Sequence, residues 1–165
     1  MRLFGVFMIA FIPLLYGLDM YSALKKREKN ITNFLKFIKF TKEEIRFSSR
    51  EIDEIVSLAI HKFGYKGEIL RQFEIYNHNR GYYKLNENLK KLTRTGLKDG
   101  DLNAISEFYT GLGINDVKGQ ISHCDYYISI FENRLKEAEN SKKVKGKLCI
   151  SLSVSLALAL FIVMV

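Results

Sequence analysis

The side chains that could do chemistry are few and scattered. His61, His78 and His123 show no metal-ligand spacing, and His123 beside Cys124 cannot face the same way on a helix. Cys124 and Cys149, 25 positions apart on one helix, would lie about 37 Å apart along it, far beyond the roughly 7 Å a disulfide allows. Gly111-Leu112-Gly113 is too short for a phosphate loop and suits a helix end. The carboxylates come as neighbours, Glu43 with Glu44 and Glu51 with Glu54. Others are four-residue partners of lysine, Glu132–Lys136 and Glu139–Lys143, the pattern of a solvated helix face rather than of acid/base catalysis. Asn30-Ile31-Thr32 matches a glycosylation sequon, which has no consequence for a body facing the cytoplasm. The expectation is a chain that is not an enzyme and takes no cofactor or metal.

The elements that carry these residues read as helices throughout. The chain has 165 residues, 47% hydrophobic and 27% charged, with a net charge of +8. The charge is partitioned. Residues 1–24 carry only Arg2 and Asp19, residues 148–165 carry no charge, and 25 of the 26 Lys and Arg lie between. This divides the chain into an N-terminal anchor, 1–24, a helical bundle, 25–147, and a C-terminal transmembrane helix, 148–165. Lys25, Lys26, Arg27 and Lys29 follow the first apolar run, and Lys142, Lys143, Lys145 and Lys147 precede the second. By the positive-inside rule both flanks place the body in the cytoplasm and both termini outside. No small-x-small cleavage site follows the first run, so it reads as an uncleaved anchor, kinked at Pro13, rather than a signal peptide. The lysines need no nucleic acid to explain them, and no nucleic-acid-binding signature is present.

The fold expected is all-α, a bundle of about six helices with N-terminal and C-terminal transmembrane helices. The first helix runs to about Phe47. Ser48-Ser49-Arg50-Glu51 has capping-box spacing and would start a second helix, ending at Gly64. A third covers about 67–77. A fourth begins at Tyr82 and stops near Thr95-Gly96. A fifth carries Leu102 to Leu112 and ends at Gly113. Asn115 or Asp116 caps a last helix of about 75 Å running to Val165. In that helix Val117, Ile121, Cys124, Ile128, Phe131, Leu135 and Ala138 form a heptad seam. Its partner is open at this point: this chain's own helices, or another copy in a homo-oligomer. The doubled tyrosines, Tyr82-Tyr83 and Tyr126-Tyr127, each point one ring away from the core, which suits protein contacts.

Phe108-x-x-x-Leu112-Gly113-x-x-Asp116-x-x-x-Gln120 resembles the signature of the stage III sporulation protein AB family of endospore-forming bacteria. Glu44-Ile45-Arg46-Phe47 matches that family's Glu-Ile-x-aromatic element. The resemblance covers the chain in layout and is most specific over about 105–165. It implies a helical cytoplasmic domain similar to the F-domain of type II secretion platform proteins. It also implies a place in the membrane complex joining mother cell and forespore, in the mother-cell membrane facing the forespore, and a partner ATPase, stage III sporulation protein AA, among other stage III proteins and membrane lipid. Read physically, Gly113 permits a left-handed helix end, Asp116 caps the next helix, Gln120 bonds into the same turn, and Phe108 and Leu112 pack the corner. An alternative from the aromatic-rich core is a membrane-tethered sensor that binds a small ligand inside the bundle.

Overall fold

The computed structural model describes residues 2–48, 50–62, 68–79, 84–92 and 95–164, leaving out the side chains of residues 2–10, 68 and 164. Among these residues the chain is helical without a strand: α1 (Arg2–Phe47), α2 (Ile52–Lys62), α3 (Glu68–His78), α4 (Leu85–Lys90), α5 (Asp99–Thr110) and α6 (Val117–Met164). The expected start of the fourth helix at Tyr82, the stop of the second at Phe63-Gly64, and Tyr83 lie outside the described residues. The fourth helix is shorter than its periodicity suggests. It closes at Lys91, and Leu92 continues only as a turn, its N–H donating to the Leu89 carbonyl.

Two long helices make the frame. α1 and α6 run antiparallel and pack along their length. Side chains meet in matching order: Tyr21 with Gly146, Glu28 with Lys142, Lys39 with Glu132, and Lys42 with Asp125. Glu132 therefore reaches across the hairpin to Lys39, at 2.8 Å, rather than serving only the face of its own helix. Glycine is needed where the helices approach closely. A Cβ at Gly146 would lie 2.9 Å from the Tyr21 ring, and one at Gly17 would overlap Ser153.

The heptad seam of α6 is filled by this chain's own α1. Cys124, Phe131 and Ala138 are buried and Ile121, Ile128 and Leu135 are partly so, while Val117 at the end of the seam stays half exposed. Opposite them α1 buries Ile31, Phe34, Phe37 and Ile38. The four short helices follow one another along this frame, α2 against α3, α3 against α4 and α4 against α5. Five phenylalanines meet at the centre, and all are at most 1% exposed. Phe34 packs on Phe131 with ring centroids 4.7 Å apart and edge-on to Phe108 at 5.7 Å. Each such pair contributes about 0.5–1.5 kcal/mol beyond area burial. These five rings are thus spent on packing the bundle.

The C-terminal part of α6 is different. It contains an eighteen-residue stretch long and apolar enough to cross a bilayer, only 11% of which is buried. A core helix would be mostly covered, yet Leu152, Leu156, Leu158 and Ile162 are all exposed. Part of the N-terminal apolar run falls on side chains that are not described. From residue 11 onward Phe11, Ile12, Leu15, Tyr16 and Leu18 are likewise exposed.

Candidate functional site

The corner between α5 and α6 is built from the residues of the Phe108–Gln120 motif. α5 ends at Thr110, and Gly113 takes φ +80°, the left-handed region that favours glycine. Asp116 then starts α6, with its Oδ1 accepting the Gly119 N–H at 2.9 Å and its carbonyl accepting the Gln120 N–H. The Gln120 amide donates to the Asn115 carbonyl at 2.9 Å, while its Oε1 is buried without a hydrogen-bond partner among the described residues. Phe108 and Leu112 are buried beneath this turn.

His123 fastens the corner from α6. Its Nε2 donates to the Phe108 carbonyl at 3.0 Å, and its ring stacks on Phe108 at 5.5 Å. A Cβ at Gly111 would come within 2.6 Å of that imidazole, so glycine there makes room for it. His61 and His78 are exposed elsewhere. The Cys124 thiol is also committed to structure. Burial, with Asp125 beside it, pushes it up to about 12, so it stays protonated at neutral pH.

The end of α1 reaches the same corner, although not as a capping box. The Ser48 hydroxyl turns back to the Glu44 carbonyl, at 2.6 Å, and to Glu44 Oε2, at 3.0 Å. Glu44 Oε2 also takes Arg50 Nη1 at 2.7 Å. Ser48 thus closes α1 instead of opening α2, because its backbone N–H is still bonded helically to Glu44. Among the described residues of this segment, the Glu51 carbonyl enters α2, accepting from Ile55.

Ile45, Glu51, Leu112, Gly113 and Gln120 come together around an open cleft of about 680 Å³. Ile114 (74% exposed) lines this cleft, and Phe47 (75% exposed), with the Arg46 guanidinium over its ring, ends α1. The cleft lies roughly 45 Å along α6 from the apolar stretch, counting from Val117 to Leu148. Sequence reasoning missed the floor of this cleft. Tyr76 and Asn77 from α3 and Tyr109 from α5 also line it, with the Tyr109 hydroxyl donating to Asn77 Oδ1 at 2.9 Å. Nothing in their local pattern marks them out; a tyrosine at helical spacing reads as core.

A second cluster was not anticipated either. Arg27 and Asp101 are both buried, and Arg27 Nε donates to Asp101 Oδ2 at 2.8 Å. Arg134 donates to the other oxygen at 2.8 Å, and the Lys98 N–H donates to Oδ2 at 3.0 Å. Burial by itself would raise the Asp101 carboxyl. The bonds from Arg27, the Lys98 amide and Arg134 outweigh that and hold it below the usual carboxylate range. The one local signal was a carboxylate in the first turn of α5. The sequon Asn30 belongs here too, its amide donating to the Thr95 carbonyl at 2.8 Å.

A protein-family model described as stage III sporulation protein AB matches residues 2–165. The chain belongs to that family. No curated protein and no solved structure matches it. Family membership carries a role in stage III of sporulation and suggests a place in a sporulation complex. In this stage III sporulation AB chain both family-like motifs, around 44–51 and 108–120, converge on one cleft at the end of the hairpin opposite the apolar stretch.

Proposed function

We propose that the protein is a non-enzymatic assembly component of the transenvelope complex joining mother cell and forespore. It sits in the mother-cell membrane through two spans, and its helical body lies in the cytoplasm. The cleft at the far end of that body receives a partner protein, the ATPase stage III sporulation protein AA. The observation that carries this reading is the convergence of the two motifs, with Ile114 exposed on the cleft they line. An exposed apolar side chain on a polar-rimmed cleft suits a protein interface. The exposed apolar side chains on α1 from residue 11, beside those of α6, support two adjacent spans, and the flanking lysines support the orientation. Resemblance to the type II secretion F-domain supports a platform role by analogy alone.

The test is capture of the ATPase by full-length protein in nanodiscs. Ile114→Glu alters an exposed side chain on the cleft and should abolish capture, while Asn86→Glu on α4 should leave it intact. Failure of the unaltered protein to recover the ATPase, in nanodiscs or from sporulating membranes in mild detergent, would overturn the partner assignment. Orientation is checked separately: a cysteine at exposed position 122 should resist labelling from outside intact cells.

A further inference from the structure

A groove of about 420 Å³ lies between α1 and α6 where the helical body meets the apolar stretch. Met20 and Leu24 of α1 and Leu148 and Leu152 of α6 form its apolar walls. Its charged edge is cationic: Arg27, Lys98 and Lys145 line it, and among the described residues no carboxylate does. Arg27 is paired with the buried Asp101, and Arg27 and Lys98 share Glu137, so Lys145 is the cation of this edge that the other groups leave to a ligand. Arg27 Nη1 is nevertheless buried with no partner among the described residues, and Lys145 forms no ion pair there. An apolar slot that opens beside a membrane span and ends in lysine and arginine is complementary to one kind of molecule, an acyl chain joined to a negative headgroup.

We propose that this groove holds one acyl chain of an anionic phospholipid, with the headgroup phosphate drawn to Lys145 and the exposed Lys98 beside it. The proposal rests on the reading of the apolar stretch of α6 as a membrane span. The lipid would fill the space between the two helices at the point where the body leaves the bilayer, and so hold the hairpin at a defined depth. This goes beyond diffuse attraction of lysines to an anionic surface, because it needs both the slot and particular cations.

The test uses full-length protein in phosphatidylcholine nanodiscs containing phosphatidylglycerol, released into detergent and weighed by native mass spectrometry. Phosphatidylglycerol should stay bound in excess of its share of the bilayer. Lys145→Gln should lower that retention about fivefold, the factor expected for one basic residue at an anionic surface. Ala23→Leu, which narrows the slot without changing charge, should lower it as well. Lys143→Gln, an exposed lysine outside the groove, should leave it near the unaltered value. Retention equal to the bulk share, or equal loss from Lys143→Gln and Lys145→Gln, overturns the proposal and leaves the membrane reading standing. So does a dimer that dissociates on Ala23→Leu, since a second copy would then occupy the slot. Failure to enter nanodiscs overturns both.

Discussion

Arg27 and Asp101, 74 positions apart, meet as a buried ion pair at 2.8 Å. Arg27 belongs to α1 and Asp101 to the first turn of α5, where its carboxylate also accepts the Lys98 backbone N–H. One residue therefore closes a helix start and ties that helix to the frame. Arg134 joins from α6, so three of the six helices converge on a single carboxylate.

Asp101→Ala should destabilise the full-length protein in detergent by about 3–5 kcal/mol, because it strands the buried guanidinium. Arg27→Met with Asp101→Leu, removing both charges, should cost less than Asp101→Ala alone. Thermal unfolding followed by circular dichroism measures both. A loss under about 1 kcal/mol for Asp101→Ala would show that Arg27 finds water or another partner.

The same carboxylate sets an acid limit. Its folded value is depressed below the unfolded value of about 3.9. Its contribution is therefore complete above that pH and is lost as pH falls through the folded value. Melting temperature should fall with acid below about pH 4. Asp101→Asn should already be low at pH 7 and show a shallower acid limb. Parallel acid limbs in the two proteins would assign the effect to other carboxylates.

Gly96 and Gly113 both hold positive φ, yet their substitution should differ. At Gly96 (φ 70°) a Cβ would overlap the Ala23 carbonyl oxygen and lie 3.0 Å from the Arg27 nitrogen, both backbone atoms of α1. Gly96→Ala should cost well over about 2 kcal/mol, since strain and overlap add. At Gly113 an added Cβ would meet only Ile52 Cγ1, at 3.6 Å, an ordinary contact. Gly113→Ala should therefore cost only the conformational strain, about 1–2 kcal/mol. Similar melting temperatures for the two variants would show that the loop at 95–98 can lift from α1.

Asp116→Ala should remove the cap of α6 and cost about 1 kcal/mol. Asp116→Asn should recover most of it, because an amide oxygen can still accept the Gly119 N–H. Amide hydrogen exchange in the first turn of α6 reads this directly. Unchanged protection at Gly119 in Asp116→Ala would mean the turn is held by Gln120 and His123 without the cap.

Local pattern determined the six helices and the apolar stretch of α6, while the fourth helix ends at Lys90, short of the Thr95-Gly96 its period suggested. The reason is that period, caps and glycines report what one segment does with its own backbone. Gly113, Asp116 and Gln120 were legible for that reason: they act within a few residues of one another. Ser48 was misread because two hydrogen-bonding choices, forward to a new helix or back to Glu44, are both local and the spacing fits either. The sequence also marked a buried seam on α6 without saying what covers it, since periodicity identifies a face and not its partner. Only the tertiary structure supplied α1 as that partner. It also brought 44–51 beside 108–120 at one cleft and set Arg27 against Asp101. Those relationships depend on how α1 and α6 stack antiparallel and on where α2 to α5 close the intervening chain, and no local spacing encodes either.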